Sequence, residues 1–84
     1  MKKKYTQLKA EWEFSRAVKA RLLQPGQCRT IRQISKCMED LHFLIHEIKL
    51  KYDFTPDAAS ILFDKYSALQ ERLIYEQFIR EESF

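Results

Sequence analysis

His42 and His46 lie four residues apart with Glu39 three residues before His42, so on a helix all three side chains would share one face. Imidazole and carboxylate at that spacing are the raw material of a metal site. The pattern stops short of one. A metalloprotease helix needs Glu directly after its first histidine, and this chain has Phe43 there. No cysteine falls on the same face to complete four ligands, so the expectation is two solvated histidines and no metal. A pH-sensitive patch is the other chemistry this pair offers, and no second feature of the sequence supports it.

Cys28 and Cys37 are nine residues apart, outside the C-x-x-C spacing of redox and zinc motifs. They read as reduced thiols of a cytoplasmic protein. Cys28, beside Arg29 and close to a helix start, is expected to have some thiolate character. Adjacent carboxylates such as Glu39-Asp40 and Glu81-Glu82 would point about 100° apart on a helix and could not share a substrate. The chain also lacks a glycine-rich phosphate loop and a serine elbow. It is therefore expected to be no enzyme and to need no cofactor or small-molecule substrate.

Charge divides sharply along the chain. Residues 1–36 hold ten basic and two acidic side chains, a net of +8, whereas residues 37–84 hold five basic and ten acidic, a net of −5. Either the basic half meets an external anion such as nucleic acid, or the two halves fold together and cancel, which is the first expectation. Lys2, Lys9 and Arg16 recur every seven residues, forming a ladder on one helix face. With Lys3, Lys4 and Lys19 they are the candidate contacts for nucleic acid or an acidic partner; an ordinary solvated face is the plainer reading.

Few turn formers are available to position these residues: one Gly and two Pro in 84 residues, against abundant helix formers. The class is all-α. Ile31, Ile34, Met38, Leu41, Ile45, Ile48 and Tyr52 alternate spacings of three and four, a long seam of coiled-coil type. Cys37 and Leu44 widen it. Gln24-Pro25-Gly26-Gln27 breaks the helix before the seam, and Thr30-Ile31-Arg32-Gln33 fits a capping box that starts the seam helix. Thr55-Pro56-Asp57 starts a third helix, in which Ala59, Leu62, Tyr66, Leu69 and Leu73 are the natural partners of the seam.

The expected architecture is a single domain, residues 1–84, folded as a three-helix bundle on a long antiparallel helical hairpin, with helices over about 3–23, 30–52 and 56–81. On the first helix Leu8 and Trp12 mark one side, while Phe14, Val18 and Leu22 drift around it.

More apolar surface exists than such a bundle needs. Phe43 and Leu50 fall opposite the seam, and Leu73, Ile74, Tyr75, Phe78, Ile79 and Phe84 crowd the end of the third helix. Phe43, Leu50, Tyr75, Phe78 and Ile79 are the candidate partner-binding residues, unless the first helix crosses obliquely and hides those of the third. The function expected is a small protein-binding module: a regulator, inhibitor, adaptor or chaperone that docks on another protein or on itself as a homodimer. The alternative is nucleic-acid binding through the basic half. Apolar runs are too short for a membrane span, and Gln7, Lys9, Glu11 and Glu13 interrupt what an export signal would require after Met1–Lys4, so a cytoplasmic location is expected.

Overall fold

The computed structural model describes residues 2–82, and the side chains of residues 5–80. Three helices, α1 (Lys2–Arg21), α2 (Ile31–Tyr52) and α3 (Asp57–Glu82), form a small all-α bundle with no strand among the described residues. Phe84 lies outside them, as do the side chains of Lys2, Lys3 and Lys4.

Local chemistry accounts for the end of α1 and for both ends of α2. The amide of Leu22 still bonds the Val18 carbonyl at 2.9 Å, and then Pro25 turns the chain through a single 3-10 turn, Pro25–Gln27. Here the amide of Gln24 donates to Gln27 Oε1 at 2.9 Å. The capping box at the start of α2 is complete: the Gln33 amide donates to Thr30 Oγ1 at 3.1 Å, and Gln33 Oε1 accepts from the amides of Thr30 (3.2 Å) and Arg29 (2.8 Å). α2 ends at Asp53, which takes the left-handed conformation (φ 51°, ψ 41°) while its amide bonds the Lys49 carbonyl at 2.8 Å. Short polar side chains tolerate this geometry better than most, so an aspartate does here what glycine usually does.

Helices α2 and α3 pack as the expected antiparallel hairpin, and Gln70 Nε2 donates across it to Ser35 Oγ at 3.2 Å. The core differs from the seam in one respect. Ile34, Leu41 and Ile48 are buried as the spacing requires, but Cys37 and Leu44 are buried with them while Met38 and Ile45 are only half-buried. The buried stripe of α2 is rotated toward the side where α1 and its connection pack. From α1 come Ala10 and, of the drifting set, Phe14 and Leu22, with Val18 half-buried, and Tyr66 of α3 is fully enclosed.

α1 runs antiparallel to α2. Glu13 lies beside Lys51, and Arg21 and Leu22 lie near Asp40, Phe43 and Glu47. Its middle, Phe14 to Lys19, borders Ala58 to Lys65 of α3. The bundle is therefore staggered. α1 flanks the first half of α3 and ends level with the middle of α2, leaving the outer end of the hairpin to two helices and a connecting segment. The longest dimension is 60 Å against 19 and 18 Å across, well beyond the roughly 39 Å that a 26-residue helix spans.

A polar cluster holds α1 against the end of α2. Lys51 Nζ donates to Glu13 Oε1 at 2.8 Å and hangs over the Tyr52 ring at 5.4 Å from its centroid. Glu13 Oε2 is shut off from solvent without a hydrogen bond of ordinary geometry. The Lys51 ammonium, followed by the Tyr52 hydroxyl, draws the Glu13 pKa below its usual value of 4.5.

Leu41→Ala, at a fully buried position, should cost about 2 to 5 kcal/mol in denaturant unfolding; Leu69→Ala, at a half-buried one, should cost distinctly less. Equal losses would contradict the stagger. A second expectation concerns acid. Because folding depresses the Glu13 pKa, its contribution is complete above the unfolded value near 4.5 and fades as pH falls through the folded value. Glu13→Gln should therefore be less stable than wild type at neutral pH, and the gap should close on acidification.

Candidate partner-binding surface

Successive helical residues are offset by about 100°, so the outward faces can be mapped from the buried ones. On α3 the core-facing residues Ala59, Leu62, Tyr66, Leu69 and Leu73 form one stripe, and Ile74, Tyr75, Phe78 and Ile79 fall on the opposite arc. They are exposed there, Tyr75 at 64% and Phe78 at 57%. α1 does not cross to hide them, because it ends at Arg21 and borders only the first half of α3. The oblique-cover alternative is thus overturned. Four large apolar side chains on two adjacent i, i+4 rows make a continuous apolar strip about two turns long.

Phe43 and Leu50 are also exposed, Leu50 at 74%, on the side of α2 diametrically opposite Leu41. The two are a different kind of feature. Seven residues separate them by about 10 Å along the axis, and exposed Glu39, His46 and Glu47 share their side of the helix. Phe43 borders a depression with Leu22, Asp40 and Glu47.

α1 carries a second apolar strip. Tyr5, Leu8 and Trp12 follow a three-four spacing and are exposed on the face opposite Ala10 and Phe14. The signal was in the sequence: 5-8-12 is a helical stripe in its own right, set half a turn from 10-14-17. Of the two sides that the spacing predicts for α1, the Phe14 side packs and the Leu8–Trp12 side stays exposed. Basic residues border this strip. Arg16 stacks on the Trp12 ring with its guanidinium carbon 5.3 Å from the centroid, and Lys9 and Lys19 are exposed nearby.

Among the described residues a single side-chain ion pair sets a base of the basic half against an acid of the acidic half. Among the described residues the ion pairs are Arg21–Glu47 at 3.5 Å, Lys51–Glu13 at 2.8 Å and Arg72–Glu76 at 3.2 Å. Only the first joins a basic residue of the first half to an acid of the second. The expected cancellation is therefore slight, and Lys9, Lys19, Arg32 and Lys36 keep solvent-facing charge.

His42, His46 and Glu39 are exposed, and no group of three His, Cys, Asp or Glu among the described residues is arranged to hold a metal ion. Cys28 is buried, and burial pushes its thiol up to about 11, followed by the effect of neighbouring Cys37. The expected thiolate character is overturned, since desolvation outweighs any help from Arg29 or the helix start. No helix of the described residues is long and apolar enough to cross a membrane. A groove of about 280 Å³ between α1 and α3 is lined by Phe14, Val18, Ile61 and Leu62, with Lys19 and Lys65 beside them. The chain matches no protein-family model, no curated protein and no solved structure.

Reversing both Lys9 and Arg16 to Glu should leave helicity and the melting temperature almost unchanged by circular dichroism, because neither holds an ion pair in the described structure. Unfolding of this variant would mean that the basic face is packed rather than free.

Proposed function

We propose that this protein is a non-enzymatic protein-binding module that seats a partner, another protein or a second copy of itself, on the outer face of the second half of α3. One observation carries the reading: Ile74, Tyr75, Phe78 and Ile79 are exposed on the arc opposite the core face of the same helix. Scattered apolar residues need no explanation, but a helix with two apolar faces presents one of them to solvent here. Burying a Phe or Ile side chain contributes roughly 1.5 to 3 kcal/mol, so four together supply a substantial drive to associate. Aromatic residues at the centre of such a strip are the usual anchors of a protein interface. Phe43 and Leu50, isolated on α2, are at most peripheral to this surface.

A second reading rests on Lys9, Arg16 and Lys19 beside the Tyr5–Leu8–Trp12 strip. Exposed cations interleaved with aromatic rings suit the phosphates and bases of a nucleic acid. Binding of that kind weakens steeply with added salt, and the double reversal at Lys9 and Arg16 would abolish it. Apolar docking through α3 would be insensitive to both.

Replacing Phe78 and Ile79 together with Ser tests the main reading. The variant should keep its melting temperature within a few degrees, since neither residue is in the core, and should lose association in light scattering behind size-exclusion chromatography or in capture of a partner. A destabilised monomer would place these residues in the core, and unchanged association would remove the α3 face from the interface.

A further inference from the structure

Cys28 and Cys37 stand on different elements, one closing the 3-10 turn before α2 and the other about two turns into α2, yet folding brings their sulfurs to 3.8 Å. Both are buried, at 5% exposure, and both are free thiols. Cys28 Sγ also lies 3.6 Å from the Gln24 carbonyl oxygen. A disulfide bond is about 2.05 Å long, so the sulfurs must close by less than 2 Å. That movement falls to Cys28. Its backbone is extended (φ −84°, ψ 120°) and lies outside the α-helical hydrogen-bond ladder, whereas Cys37 is anchored in α2.

We propose that Cys28 and Cys37 are an oxidative modification site, at which a hydroperoxide such as hydrogen peroxide converts the two thiols into an intrachain disulfide that pins the α1–α2 connection to α2. The chemistry balances in two displacements. One sulfur, as thiolate, attacks the peroxide; an S–O bond forms, the O–O bond breaks, and the departing hydroxide takes up a proton to leave as water. The neighbouring thiol then gives up its proton and attacks the sulfenic sulfur, forming S–S, breaking S–O and releasing a second water. Two thiols lose two protons and two electrons, and one peroxide is reduced to two waters.

Location decides both the product and the pace. A sulfenic acid formed here has a second sulfur in contact, so it is trapped before further oxidation, and only nine residues separate the pair, which favours closure within the chain over bridging to another. Burial makes the oxidant a small one and the reaction slow. With its thiol held up to about 11, Cys28 is almost wholly protonated at neutral pH and inert to casual alkylation.

The test uses the full chain, reduced, desalted and exposed to hydrogen peroxide, then unfolded in an alkylating reagent and weighed intact. The expected product is a monomer lighter than the reduced chain by two hydrogens, carrying no alkyl label and restored by dithiothreitol. Trypsin cuts after Arg29, Arg32 and Lys36, so the Cys28 and Cys37 peptides should co-migrate only through the disulfide. Cys28→Ser and Cys37→Ser should instead gain oxygen or label at the remaining thiol. Two alkyl labels after oxidant sufficient to oxidise methionine would overturn the proposal. So would sulfinic acid at both positions, or disulfides found only between chains.

Discussion

The fully enclosed ring of Tyr66 and the hydroxyl it carries fix where the third helix can lie. A buried phenol is costly unless its hydroxyl finds a partner, and here it donates to the carbonyl of Leu23. That carbonyl is accessible because the chain leaves helical geometry just before Pro25, so no following turn of helix claims it. The break and the tyrosine are thus two halves of one constraint. Together they anchor the segment after α1 against α3, which places α1 beside the first half of α3 and no further. Burial also holds the Tyr66 hydroxyl well above its usual pKa, keeping it a neutral donor.

Much of the architecture could be read from the chain alone because it is written in local rules. Seven seam residues at three-four spacing predict α2 almost to its ends, and the Thr30–Gln33 box is realised bond by bond. What periodicity leaves open is which neighbour covers which side. Cys37 and Leu44 outrank Met38 and Ile45 in burial because of where α1 and its connection lie, and that is a tertiary fact. The same limitation explains Leu8 and Trp12. Two apolar stripes on one helix are indistinguishable until a partner helix chooses between them, and α2 and α3 take the Ala10–Phe14 stripe. Glu13–Lys51 joins residues 38 apart, a distance at which sequence spacing carries no geometric information.

The candidate surface on α3 was more readable than that on α1 for a physical reason. Apolar residues crowd all sides of α3, so any single neighbour had to leave some of them wet. On α1 the apolar residues are fewer and could all have been core. Charge misled in the opposite sense: a chain divided into +8 and −5 invites a picture of folded halves cancelling, yet long Lys and Arg side chains on outward faces gain little from pairing and stay hydrated.

Because α1 is parallel to α3 but displaced toward one end, its outward strip of Tyr5, Leu8 and Trp12 and the outward strip of Ile74 to Ile79 face away near opposite tips of a body 60 Å long. The molecule therefore has the proportions of a strut rather than a bead. Two ligands could occupy the tips at once without touching, held apart by a fixed distance that rigid helices set. Whatever bound one tip would find the other presented at high local concentration, so joint capture of two linked targets would exceed either contact alone.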